Sequence, residues 1–183
     1  MKLKIWQAGD AVLREKSRPL TPDEILSQPI RDLVESMRET MHDAPGVGLA
    51  APQVGLPWQL AVIEDQPELI QKLSARQIAE RERRPVPFHV LINPILVMET
   101  GDPAEFFEGC LSIAGFTAIV PRARRVRVDC LNLRAEPVSI TAEGWYARIL
   151  QHEIDHLNGI LYIDRMKSRS FSTQDNYARY HST

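Results

Sequence analysis

The chain has 183 residues, 44% apolar and 25% charged, with a formal net charge of −2 at neutral pH. That is enough chain for one compact domain with a sizeable core, and the small negative charge gives no electrostatic reason to expect nucleic acid or an anionic membrane as a partner. No apolar run approaches the roughly 18 residues that span a bilayer, and the opening "MKLKIWQAGD" has no apolar core of a secretory signal.

In chain order, "TPDEILSQP" carries a helix start: Thr21 as N-cap, Pro22 at the first helical position and Glu24 three residues after the cap. Pro29 restarts the pattern, and Ile30, Leu33, Met37 and Met41 recur at helical spacing up to Pro45-Gly46. "GVGLAAPQVGLP" follows, with neither period. Residues 59–64 read as a buried strand, and the polar stretch 66–87, bracketed by prolines, as one solvated helix between strands.

From 88 to 140 the period is two. "FHVLINPILVME" is strand-like with a break expected at Asn93-Pro94. "RRVRVDCL" alternates, Val126, Val128 and Cys130 on one face and Arg125, Arg127 and Asp129 on the other, and Val138 and Ile140 mark its hairpin partner. Thr141 is the predicted cap of a helix from Ala142, with Trp145, Ile149, His152 and His156 near one face and Asn158-Gly159 at its end. "ILYIDRM" is a short apolar element, and residues 168–183 read as a polar C-terminal tail of a single domain covering 1–183. Cys110 and Cys130 are both read as thiols, since nothing points to an oxidising compartment.

The chemistry sits in "QHEIDHLNG", Gln151–Gly159. On a helix, His152 and His156 lie one turn apart on one face and can turn imidazole nitrogens toward one ion. Glu153, about 100° around the axis, is placed to handle a water beside the ion and not to ligate it. The third ligand used by zinc endopeptidases with this motif follows downstream. Here the final position of the extended motif is Tyr162, no Glu follows Glu153, and the only later histidine is His181. A ligand from upstream is required, and Cys110 in "FFEGCLSIAG" is the candidate. Two imidazoles and one thiolate leave a fourth position open, as catalytic sites do. A non-catalytic metal module would instead recruit a fourth side chain, Cys130 or His89.

Three motifs in order, "GVGLAAPQVG" (46–55), "EGCLS" (108–112) and "QHEIDHLNG" (151–159), resemble those of the peptide deformylase family. "VPR" (120–122) and "GDAVLR" (9–14) resemble further family features, with Ala11 in place of the more usual Pro. The context "GWYARILQHE" looks closer to the branch that includes mitochondrial-type members, and Thr117 stands where many bacterial members carry Arg.

The resemblance implies an α+β fold, with antiparallel or mixed sheets packed around a central helix carrying the motif. It implies removal of the formyl group from formyl-methionine at the start of new polypeptides, with release of formate. Carried over residue by residue, Cys110, His152 and His156 hold one divalent ion, Fe(II) expected, with Zn, Ni or Co as substitutes. Glu153 is the acid/base, and Gln53 and Leu111 assist at the oxyanion. Val47, Gly48, Glu108, Gly109, Trp145, Arg148 and Ile149 are the expected substrate contacts, with Phe106 and Phe116 as further walls for the methionine side chain. The expected partner is a formyl-methionyl nascent chain at the ribosome. No nucleic acid or membrane is expected to bind, and the oligomeric state is monomer or homodimer. The expected compartment is the bacterial cytoplasm, or an organelle for a processed form.

Overall fold

A computed structural model describes residues 2–99 and 101–181. Helix α1 (Pro22–Leu26) starts on the predicted capping box: Thr21 Oγ1 accepts from the Glu24 amide and Glu24 reaches back to the Thr21 amide. Helix α2 (Gln28–Asp43) buries Ile30, Met37 and Met41 as their spacing predicts, with Val34 in the stripe and the expected Leu33 only half-buried at its edge.

Two antiparallel sheets follow. One has five strands in the order β1 (Gly48–Ala50), β2 (Leu60–Asp65), β3 (Val86–Met98), β6 (Arg125–Leu131), β7 (Pro137–Glu143). The other has three, in the order β4 (Ala104–Cys110), β5 (Ile113–Arg122), β8 (Ser172–Thr173). Helix α5 (Gly144–Leu157) lies on the inner face of the five-stranded sheet, and α2 covers its outer face. The two faces are legible in β2: Ala61 and Ile63 point at α5, Leu60 and Val62 at α2, and all four are fully buried. A strand covered on both faces reads as an uninterrupted apolar run, which is why 59–64 carries no alternation.

Several expectations are corrected. The sheet does not break at Asn93-Pro94; β3 continues through it on a bulge, with the register to β6 shifting between Ile92 and Ile95. Asn93 takes a left-handed φ of 51°, and its side chain accepts from the Leu20 amide (2.9 Å) and donates to the Leu20 carbonyl (2.8 Å). The bulge is thereby tied to the segment before α1.

The helix predicted from Ala142 starts two residues later. Ala142 and Glu143 still pair with Val126 and Arg125 in the hairpin, so the ladder wins over Thr141 as a cap. Gly144, at φ 59°, makes the turn from strand to helix, and a Cβ there would come within 2.6 Å of Glu82. Residues 66–87 hold two short helices, α3 (Pro67–Ile70) and α4 (Ala75–Glu80), because Ser74 and Gln77 build a capping box between them. The stretch read as a polar tail contains β8, paired with Phe116 and Thr117, and α6 (Gln174–Tyr180), capped by Thr173; its last two residues lie outside the described ones.

Replacing Asn93 by Ala removes both hydrogen bonds to Leu20 and puts a residue less tolerant of it than Asn at a left-handed φ. The free energy of unfolding, read from a urea titration, should fall by about 2 kcal/mol, and Asn93→Gly, which tolerates that φ, should lose less.

Candidate metal centre

Helix α5 is surrounded on nearly all sides, so its polar residues are there for a reason. Ala147, Leu150, Ile154 and Leu157 face the five-stranded sheet. Gln151 is spent on the backbone, accepting from the Ala123 amide and donating to the Ala123 and Ala147 carbonyls at 2.9–3.0 Å. The opposite face presents His152 and His156, one turn apart.

Their Nε2 atoms lie 3.2 Å from each other, and His156 Nε2 lies 3.2 Å from Cys110 Sγ at the end of β4. One donor atom each from Cys110, His152 and His156 falls within 4.8 Å of the other two, the single grouping of this kind among the described residues. Cys130 and His89 do not join it. Cys130 is buried in the core between α5 and the large sheet, and His89 is engaged by the Pro87 carbonyl and the Tyr146 hydroxyl. Both cysteines are free thiols.

The donors are prepared for an ion. Glu108 Oε1 lies 2.9 Å from His152 Nδ1. An ionised carboxylate only accepts, so it fixes the proton on Nδ1 and leaves the Nε2 lone pair facing Cys110 and His156. Burial pushes His156 well below the ordinary imidazole pKa, which keeps it neutral as a ligand must be. A borderline-soft set of two imidazoles and one thiolate fits a first-row divalent ion, and three converging donors leave room for a fourth, non-protein ligand.

Glu108 is itself held. Arg122 grips it with Nη2 on Oε1 (2.6 Å) and Nε on Oε2 (3.2 Å), and Arg148 Nη1 donates to Oε2 (2.8 Å). Burial alone would raise its pKa; His152 and Arg122 outweigh that and hold it well below the usual carboxylate range. Arg122 also binds Asp155 on α5, which Arg165 grips bidentately at 2.7 and 2.8 Å. Thus Glu108 and Arg148, both expected among substrate contacts, line the cleft, but their charged groups are committed inward. Arg148 spends its remaining donors on the Val120 and Ala104 carbonyls, both at 2.8 Å.

Glu153 is 3% exposed and faces β1. A Cβ on Gly48 would lie 2.6 Å from Glu153 Cδ, so Gly48 is the residue that makes room for this carboxyl. Glu153 Oε2 is buried without a hydrogen-bond partner, and burial pushes its pKa up to about 7. Gln53, also buried, accepts from the Ala50 amide with Oε1 (2.8 Å). Its Nε2 donates to Ser112 Oγ (3.2 Å) and, more weakly, to Cys110 Sγ (3.5 Å). Leu111, in the turn after Cys110, has its carbonyl tied to Gln7 Nε2 (3.0 Å).

A cleft of about 490 Å³ opens onto these groups. Val47, Gly48, Gly109, Leu111, Trp145 and Ile149 line it, whereas Phe106 and Phe116 do not: Phe106 packs edge-on to Trp145 outside the cleft, and Phe116 stacks on Phe171. Thr117 donates to the Glu108 carbonyl at 2.9 Å. The sequence reading missed Arg81 and Arg83 after α4 and Gln174 and Tyr177 on α6, all of which line the cleft. Thr173 as a cap was the one local signal that α6 exists.

Replacing Glu108 with Ala frees the His152 ring and unpairs Arg122. Metal affinity, measured by competition with a chromogenic chelator, should fall by about 10- to 100-fold.

The polypeptide deformylase family model matches residues 2–172. Peptide deformylase 1A, chloroplastic/mitochondrial, of Arabidopsis thaliana is 45% identical over 173 residues, 94% of this chain and 64% of that protein, so the chain spans somewhat less than two thirds of this relative. Peptide deformylase 3 of Streptomyces avermitilis is 46% identical over 94% of this chain and 75% of its own length. Among solved structures, the Met-Ala-Ser-bound class I type b peptide deformylase of Acinetobacter baumannii is similar, with a TM-score of 0.81 and 31% identity over 91% of this chain and 99% of that one. The organellar relative agrees with the branch that "GWYARILQHE" points to. By motif order, fold and the extent of these matches, the chain belongs to the peptide deformylase family.

Proposed function

We propose that this protein, acting as a single catalytic domain, hydrolyses the N-formyl amide of peptides that begin with formyl-methionine, releasing formate and a free amino terminus. The observation that carries this reading is the placement of Glu153. It is a buried carboxyl with one unpartnered oxygen, pressed against a glycine strand beside a Cys-His-His donor set. The family's metal dependence fits the same residues: Cys110 Sγ, His152 Nε2 and His156 Nε2 would hold one divalent ion, which we take to be Fe(II), with Zn, Ni or Co as substitutes. When bound, such an ion supplies Lewis acidity, making a neighbouring water more acidic and a carbonyl more electrophilic.

The chain's own groups do the rest. Glu153 Oε2, with a pKa near neutrality, takes a proton from water as the water oxygen attacks the formyl carbon. Charge grows on the formyl oxygen. The Leu111 amide and Gln53 Nε2, which can give up its long contact to Cys110 Sγ, donate to it. The carbon–nitrogen bond then breaks as Glu153 returns its proton to the departing amine. Formate leaves with the water oxygen, and Glu153 ends as it began.

Substrate binding is read from the cleft walls. β1 is an edge strand, so the extended peptide can pair with it as a further strand, with Val47 and Gly48 beside it. Ile149 offers apolar surface to the methionine side chain, with Trp145 at the outer edge of that surface, and Gly109 lines the facing wall. We take nascent chains at the ribosome to be the physiological source of substrate and the bacterial cytoplasm to be the compartment.

The test is formate release from formyl-Met-Ala-Ser by anaerobically prepared, Fe(II)-loaded protein, with acetyl-Met-Ala-Ser as the control. Hydrolysis of the acetylated peptide at a comparable rate, or none of the formylated one, would overturn the reading. Glu153→Ala should lower kcat by about 10²-fold or more while retaining one metal per chain by elemental analysis. Gly48→Ala, which displaces the same carboxyl without touching a donor, should also keep its metal and lose activity, and an active Gly48→Ala enzyme would contradict the placement of Glu153.

A further inference from the structure

The far end of the cleft carries charge that the reaction does not use. Arg81, Arg83 and Arg148 all line it, and their guanidiniums lie 4.9, 5.3 and 5.6 Å from the centre of the Trp145 ring. Two of the three are neutralised. Arg83 grips Asp65 bidentately at 2.8 and 2.9 Å, and Arg148 is paired with Glu108. Arg81 has no carboxylate within ion-pair distance among the described residues; its polar contact is Nη2 donating to Tyr177 Oη on α6, at 3.3 Å.

The acids nearest to it in sequence are occupied elsewhere, Glu80 by Arg76 and Glu82 by Arg124 at 3.7 Å. The acidic groups lining the cleft are Glu108, already shared between two arginines and His152, and Glu153, at the reacting end. A half-buried guanidinium in a cleft, held in place by an aromatic ring and a phenol and without a counter-charge, is a site for an anion.

Resting on the deformylase reading above, we propose that Arg81 is a specificity-determining residue that reads a side-chain carboxylate, aspartate or glutamate, on the second or third residue after formyl-methionine. Trp145 precedes His152 by seven positions on α5, about 10 Å along the axis, a span that an extended peptide covers in about three residues. With the methionine side chain against Ile149, one turn nearer the donor set, a carboxylate that far downstream would meet the guanidinium over Trp145. The planar fork binds a carboxylate with two parallel hydrogen bonds, and the cleft wall screens the pair less than open solvent would.

The experiment compares C-terminally amidated formyl-Met-Ala-Glu and formyl-Met-Ala-Lys, and the versions with one further alanine before the charged residue, on the Fe(II)-loaded wild type and on Arg81→Ala, Arg81→Lys and Arg81→Glu. Amidation removes the chain-end carboxylate; free-acid against amidated formyl-Met-Ala-Ser shows whether that end is read instead. The wild type should favour the glutamate peptide over the lysine peptide about tenfold in kcat/KM, chiefly through KM, with the ratio falling toward one in about 1 M salt. Arg81→Ala should bring the ratio near one, Arg81→Lys should restore part of it, and Arg81→Glu should invert it. Calorimetric binding of the deformylated products should follow the same order.

If Arg81 serves only to hold α6 through Tyr177, Arg81→Ala and Tyr177→Phe will slow both peptides by one factor and leave the ratio intact, which overturns the proposal. A wild-type ratio near one overturns it as well, as does a preference confined to the free-acid peptide. Absence of formate release from every formylated peptide overturns the deformylase reading, and this proposal with it; a ratio near one with brisk turnover overturns the proposal alone.

Discussion

Everything near the cleft depends on one buried carboxylate. Glu108 is shared by Arg122, Arg148 and His152, and these groups lie where water cannot screen them. A charge buried alone would be ruinous to stability, and even a paired one is costly unless its remaining lone pairs and protons are met. The network meets those needs: Arg122 spans Glu108 and Asp155, Arg165 closes on Asp155 from outside, and Arg148 fills two backbone carbonyls. The result is geometric. Strand β4, strand β5 and helix α5 each contribute a charged residue to the cluster, so the sulfur of Cys110 and the rings of α5 are locked in mutual position by ions that never touch the reaction.

Glu153 is the counterpart. Asp155 on α5 and Glu108 on β4 are neutralised by arginines, whereas Glu153 is left without one, against the backbone of Gly48. Two carboxylates within the same helix-strand junction therefore have opposite character: Glu108 stays ionised, and Glu153 is poised near neutrality. The separation comes from the environment alone, since the two residues are chemically identical, and it suits one to orient a ring and the other, as proposed, to exchange protons.

Much of this was readable in the sequence, and the reasons differ by residue. The faces of α2 and β6 were legible because one side of each meets a continuous core, so periodicity maps directly onto burial. His152 and His156 were legible because ligand spacing on a helix is fixed by its pitch. Cys110 came by elimination of downstream ligands, and the structure brings its sulfur to the two rings. What failed did so where distant contacts decide. Asn93 bends a strand instead of ending it because Leu20, 73 residues away in sequence, receives its side chain. The start of α5 moved because a hairpin ladder outcompeted a local cap. Helix α6 left only its Thr173 cap as a local signal, because its polar sequence packs on the cleft through Tyr177, whose ring lies tilted 4.7 Å from that of Phe107, a pairing that no local pattern encodes. The inward commitment of Glu108 and Arg148 was hidden for the same cause.

The brevity of β1 has a consequence for life in a crowded solution. A sheet margin left unpaired so that one chain can dock will, in principle, accept any other chain, its own copies included. Here the margin is three residues long, hemmed in by Gly46 before it and Pro52 after it, and its first residue, Gly48, lines the cleft. An edge of three residues offers few backbone hydrogen bonds to another folded sheet, so edge-to-edge pairing gains little there. The fold thereby keeps its adhesive rim available to a guest while denying it to aggregation.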